Sequence, residues 1–177
     1  NSDVRDYIGT FAASAGFGSD KYVNEFKNEG DSYNSIMFRL LADRLTEAIS
    51  EILHKDVRNN YWGYTKEEKT DQKTLLKQRY DGIRPSPGYP ACPDHSLKKE
   101  IFDLMDAKNQ IGIQLTESYA MHPASSVCGF YFALPQSRYF NLGKISKDQI
   151  NDYAKRQRIP TTKAEELFKP YLNYSTK

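Results

Sequence analysis

The 177 residues carry 25 Lys and Arg against 23 Asp and Glu, a formal net charge of +2, which leaves no basic excess to hold a nucleic-acid backbone. With a mean hydropathy of −0.74, no apolar run is long enough to cross a bilayer, so no membrane role is expected. Two cysteines, Cys92 and Cys128, are too few for a disulfide framework and point to a reducing, cytoplasmic setting.

The length suits one domain over residues 1–177, or part of a larger one. No signal peptide opens the chain. It starts at Asn1-Ser2-Asp3 without an initiator Met, so a native upstream part is expected to be missing. The 13 tyrosines combine apolar faces with hydrogen-bonding tips, which suits large ligand or domain interfaces.

Residues 3–18 alternate small and aromatic side chains and read as a strand or an extended packing segment. Ser19 is expected to cap a short helix to about Lys27, which Asn28-Glu29-Gly30 ends. Residues 31–60 form the longest helical pattern, with Ile36, Leu40, Leu41, Leu45, Ile49, Ile52 and Val57 at helical spacing. The apolar set is broad, which predicts burial on more than one side. Asp43 and Glu47 fall on one line of that helix, between Leu40 and His54. Tyr61-Trp62-Gly63-Tyr64 is an aromatic stop, and a helix is expected over Leu75 and Leu76.

Residues 83–95 hold Pro85, Pro87, Pro90 and Pro93. Proline fixes φ and restricts the residue before it, so this is a stiff extended track with one bend at Gly88. A stiff loop loses little entropy on gripping a ligand. Its plainer reading is a connector between helices. Asp94 or Ser96 then caps a helix through Ile101 and Met105, ending near Asn109. Residues 111–119 read as extended. Residues 127–134 and 138–145 read as two strands joined by Pro135-Gln136-Ser137, and the first, apolar on both faces, as a central strand. Ser146-Lys147-Asp148-Gln149 and Thr162-Lys163-Ala164-Glu165 are two capping boxes that open helices. The fold class is α+β, a small twisted antiparallel sheet with about six helices.

Metal and nucleophile chemistry find little support. Cys92, His95, His122 and Cys128 lack the tight paired spacing of a structural zinc site. No nucleophile elbow and no Gly-rich phosphate loop is present. Recognition of a zwitterion fits better. Arg84 offers a planar fork to a carboxylate, and Glu47 or Asp43 offers a partner to an ammonium. Gly88 permits close backbone approach, and the ring faces of Tyr89 and Tyr139 favour a cation such as a sulfonium.

Arg84-Pro85-Ser86-Pro87-Gly88-Tyr89-Pro90 resembles the R-x-x-x-G-Y-P signature of the activation domain of cobalamin-dependent methionine synthase. Leu41-Ala42-Asp43-Arg44-Leu45-Thr46-Glu47-Ala48, Tyr61-Trp62-Gly63-Tyr64, Pro90-Ala91-Cys92-Pro93-Asp94-His95, Leu115-Thr116-Glu117-Ser118 and Ser137-Arg138-Tyr139-Phe140 resemble the same family in the same order. The similarity runs from near residue 3 to the carboxyl end, as expected of the carboxyl-terminal part of that domain.

The resemblance implies a repair module of a methyltransferase in methionine biosynthesis. Such a module binds S-adenosylmethionine and presents its methyl group to the cobalamin (vitamin B12) of a neighbouring module, after flavodoxin or a flavoprotein reductase has supplied an electron to cob(II)alamin. It implies that Arg84 binds the ligand carboxylate, that Ser86 and Gly88 give main-chain contacts, and that Tyr89 lies beside the methyl path. Glu47 would meet the amino group, with Tyr139 and Phe140 at the ligand's border. Asp43, Met121, Ala124, Ser125, Ser126 and Gly129 would face the cobalamin or its module. An upstream acidic ligand contact of the family has no counterpart here. The other readings are a repair module for a different cobalamin protein and a structural cap without a working site.

Overall fold

The computed structural model describes residues 5–65, 68, 71, 73, 75 and 77–176. Strand β1 (Gly9–Ser14) leads into helix α1 (Ser19–Asn28) and the long helix α2 (Ser32–Asp56). A π-helical turn, Val57–Tyr61, extends α2 to the aromatic stop, where Gly63 takes φ 69°. The proline track follows, then α3 (Leu97–Met105), α4 (Ala107–Ile111) and strands β2 (Gln114–Leu115), β3 (Met121–His122) and β4 (Ser126–Tyr131). Helices α5 (Lys147–Gln157) and α6 (Thr161–Leu167) close the chain, followed by a short 3-10 turn. The architecture is α+β, with six α-helices among the described residues. Part of the helix expected over Leu75 and Leu76 lies outside those residues; the rest shows helical bonds from Leu75 N to Asp71 O and Lys77 N to Lys73 O.

β1 pairs antiparallel with β4, with Ala12 opposite Cys128 and Ala13 opposite Val127. Side chains alternate across the sheet. Phe11, Ala13, Val127 and Tyr131 face Leu53, Val57 and Trp62 beside α2. Ala12, Cys128 and Phe130 face Ile101, Phe102 and Ile113 on the α3 side. β4 is therefore buried on both faces, as its unbroken apolar run requires. A separate cluster of Ile150, Ala154, Ala164 and Phe168 joins α5 to α6.

The expected hairpin does not form, because both edges of β4 are taken by other segments. β1 holds one edge. The start of the proline track holds the other, through Phe130 N to Pro85 O at 2.9 Å and reciprocal bonds between Ile83 and Phe132 at 3.0 Å. Residues 138–145 are left without a ladder and run as a loop that ends in a single bridge from Ile145 to Leu172.

The long helix also departs from expectation. α2 is buried on one side only, by Ser35, Ala42, Thr46, Ser50 and His54. Leu53 packs toward the sheet, but most of its large apolar residues point outward: Leu41, Leu45, Ile49 and Ile52 are 57%, 58%, 42% and 61% exposed. The small inner residues permit a close approach to the loop before β4. Thr46 Oγ1 donates to Ser125 O at 2.6 Å and accepts from Ala15 N at 3.0 Å.

Smaller corrections concern helix ends. Gly18, at φ 75°, stands at the N-cap of α1, and the Ser19 hydroxyl donates to Gly16 O instead. Ile111 ends α4 rather than opening a strand, after Asp106 at φ 50° divides α3 from α4. The box at Ser146 forms, with Ser146 N donating to Gln149 Oε1 at 2.9 Å. The box at Thr162 does not, because Pro160 brings the helix start forward to Thr161.

Candidate functional site

The proline track is fixed from both sides before it contributes any side chain. Its first half is bonded to the edge of β4. Gly129 makes that contact possible, since a Cβ there would lie 2.6 Å from Pro85 O and 3.0 Å from Ser86 Oγ. Its second half turns tightly, with Gly88 N donating to Cys92 O at 2.7 Å and Cys92 N to Tyr89 O at 2.8 Å. Gly88 takes φ 100°, and a Cβ there would lie 2.3 Å from the His95 ring. Glycine is thus required both for the backbone angle and for the ring beneath it.

Above the track lies a cavity of about 400 Å³. Glu47, Arg84, Ser86, Tyr89, Tyr139 and Phe140 all line it. Three remote stretches supply these residues: α2, the track, and the loop that replaces the expected hairpin. Tyr139 is anchored by its hydroxyl, which accepts from Arg84 N at 2.9 Å. Gly88 is not among the lining residues, and its amide is already bonded within the turn that its φ of 100° shapes.

Arg84 dominates the electrostatics. Its Nη2 lies 3.2 Å from Glu51 Oε2 and 3.7 Å from Glu47 Oε2, with only 16% of the side chain exposed. Burial works most strongly against its charge, but the Glu51 carboxylate, together with Tyr139 and Tyr80, outweighs it and raises the pKa above the ordinary arginine value. Tyr89 is also pushed upward, by burial and then by Glu47, which its hydroxyl contacts. Beneath Arg84 lies a buried layer in which His54 stacks on Tyr131 at 5.1 Å. Burial, reinforced by Arg58 and Arg84, lowers the His54 pKa to about 3, so this imidazole is neutral. Arg58 is fully buried and held by both oxygens of Glu68, at 2.5 and 2.6 Å.

A second recess adjoins the first and shares Glu47, Tyr89 and Val127 with it. Asp43, Ser125 and Ser126 line this recess. Ser125, at φ 56°, donates its hydroxyl to Asp43 Oδ1 at 2.6 Å, which ties the loop before β4 to α2. The other three positions expected on this face are not among the residues that line the recess. Met121 packs on the α3 core, Ala124 is exposed on the loop, and Gly129 is buried against the track.

Glu51 is the residue that sequence reasoning missed. Its spacing of four from Glu47 on a helix, with an arginine required nearby, was the available signal. Gln78 and Asn141, which also line the cavity, carried none.

The family model for the vitamin B12 dependent methionine synthase activation domain matches residues 1–158. The chain belongs to this family. A crystal structure of the MetH reactivation domain bound to AdoHcy superposes with a TM-score of 0.92 at 45% identity. The match covers 96% of this chain and 52% of that one, so the chain spans about half the length of the solved relative.

Proposed function

We propose that this activation-domain chain binds S-adenosylmethionine in the cavity above the proline track and serves as a reactivation module of cobalamin-dependent methionine synthase. The observation that carries the reading is the meeting of Arg84 and Glu47 in one cavity, with Tyr89 and Tyr139 beside them. The AdoHcy bound by the solved relative supports the same ligand class. The fit is chemical as well as spatial. Arg84 keeps a buried Nε without a partner, which suits a further carboxylate. The Glu47 side chain is 45% exposed and open to an ammonium.

In this reading Arg84 binds the ligand carboxylate and Glu47 the amino group. The track offers main-chain groups at Ser86, and Phe140 borders the ligand. When bound, the ligand supplies a methyl group on a sulfonium for transfer to cobalamin. Tyr89, common to both recesses, borders the path between them. Asp43, Ser125 and Ser126 face the neighbouring cobalamin module. The electron that must reach cob(II)alamin before the methyl can be transferred would come from flavodoxin or a flavoprotein reductase, in the cytoplasm. The isolated chain is not expected to carry the primary turnover of methionine synthase.

Calorimetry with S-adenosylmethionine tests the site. The chain binds it, and Arg84→Ala weakens binding by about 2–4 kcal/mol, the scale for removing one partner of a buried charge-assisted pair. Unchanged affinity in that variant would remove Arg84 from the ligand.

A further inference from the structure

Glu51 lies one helical turn beyond Glu47 on α2 and reaches the cavity only through Arg84. One nitrogen of that arginine, Nη2, stands between the two carboxylates. Its hydrogen bond goes to Glu51, at 3.2 Å. Glu47, at 3.7 Å, is left half-free. The two acids also differ in where they sit. Glu47 lines the cavity and Glu51 does not. The Glu51 side chain is 24% exposed, against 45% for Glu47.

The pairing with Glu51 uses one nitrogen and one oxygen. Arg84 Nε and Glu51 Oε1 are both buried without a hydrogen-bond partner. A two-pronged bond would lock the fork, whereas a single one sets its position and leaves it able to meet another acid. The bond thus draws the guanidinium toward Glu51, which does not line the cavity.

We infer that Glu51 is a positioning residue that holds the Arg84 guanidinium off Glu47, so that one anion site and one cation site stay separate for the two ends of an amino-acid ligand. This rests on the ligand reading above and deepens it. Without Glu51, the attraction between Arg84 and Glu47 has no opposing pull, and Nη2 closes the 3.7 Å gap. The pair then satisfies itself. The ligand's carboxylate meets a turned and neutralised guanidinium, and its ammonium finds Glu47 occupied.

Glu51 also has an opposing effect, because a fixed carboxylate repels the carboxylate of the ligand. That repulsion is the weaker effect, since Glu51 lies outside the cavity and already pairs with the guanidinium that the ligand must meet. An acid that merely competed for Arg84 would be expected on the cavity side, where Glu47 stands.

The test compares two ligands on the full chain by calorimetry. S-adenosylmethionine carries both charged groups of the amino-acid end; methylthioadenosine carries neither. Glu51→Ala is expected to weaken S-adenosylmethionine by roughly 10- to 100-fold, the range for a charge-assisted contact. Glu51→Gln, which keeps a neutral acceptor, loses less. Methylthioadenosine binds both variants within about twofold of the wild type, the level at which small surface changes fall. A crystal structure of Glu51→Ala shows Arg84 in direct hydrogen-bond contact with Glu47. Unchanged or tighter S-adenosylmethionine binding overturns the inference. So does an equal loss for both ligands, which would make Glu51 a support of the whole fold. Failure of the wild-type chain to bind S-adenosylmethionine instead overturns the ligand reading itself, and the inference with it.

Discussion

The two long sides of α2 reverse the usual arrangement. The inner side is a row at every fourth residue, Ala42, Thr46, Ser50 and His54, continued by Arg58, and it is small or polar yet buried. The outer side carries Leu41, Leu45, Ile49 and Ile52, apolar and exposed. Small residues let the helix approach the loop before β4 closely enough for Thr46 and Ser125 to bond. The edge between the two sides carries Asp43, Glu47 and Glu51, the acids of the site. Burial on α2 therefore follows from how close a neighbour must come, and hydrophobicity alone does not mark the face that packs within this chain.

The inner row can be broken most severely at its end. Arg58 is fully buried and depends on Glu68 for charge compensation, with the Tyr80 ring 3.8 Å from its guanidinium carbon. Glu68→Gln is expected to destabilise the chain by about 3–5 kcal/mol, because it leaves a buried cation without its anion. Urea unfolding measures this, and a loss well under ~1 kcal/mol, the median for exposed pairs, would mean that Arg58 is hydrated in solution.

A milder probe is pH. His54 has a folded pKa of about 3 against an ordinary 6.5. The unfolded chain therefore binds the extra proton first as pH falls. The stability that neutral His54 provides is intact above about 6.5 and is lost progressively down to about 3. One such group contributes a slope of at most about 1.4 kcal/mol per pH unit. His54→Phe keeps the ring against Tyr131 and should flatten the fall in thermal midpoint across that window. An unchanged slope would assign the acid sensitivity to the carboxylates.

Much of this was legible in the chain itself. The bend at Gly88, the stiffness of the track and the double-sided burial of β4 follow from residue types whose backbone demands are local. Arg84, Glu47 and Tyr139 were readable as zwitterion-binding types, and the family resemblance gave them roles. Their meeting in one cavity depends on contacts between distant segments. The pairing of β4 illustrates why. Pro135-Gln136-Ser137 favoured a local hairpin, but Pro85 O and Ile83 competed for the same edge from far away in the chain. The exposed side of α2 was illegible for a related reason, since periodicity reports which residues are apolar and not what covers them. Glu51 escaped because its contact is with Arg84, and its spacing of four from Glu47 does not tell which residue of a loop 33 positions later it meets.

The outer side of α2 gives the smallest expected effect and the sharpest control. Leu45 and Ile49 are 58% and 42% exposed, so replacing them removes little packing within the chain. Lysine is also a good helix former, at least equal to isoleucine. Leu45→Lys and Ile49→Lys are each expected to change stability by no more than about 0.5 kcal/mol, the range for surface substitutions. Thermal unfolding at two protein concentrations measures this. A loss above ~1.5 kcal/mol at either site would exceed what an exposed position can give. If that loss also grew with concentration, the stripe would be covered by a second copy in solution. The reversal of the two sides of α2 would then belong to the isolated chain, and the apolar pattern would have marked a packed face after all.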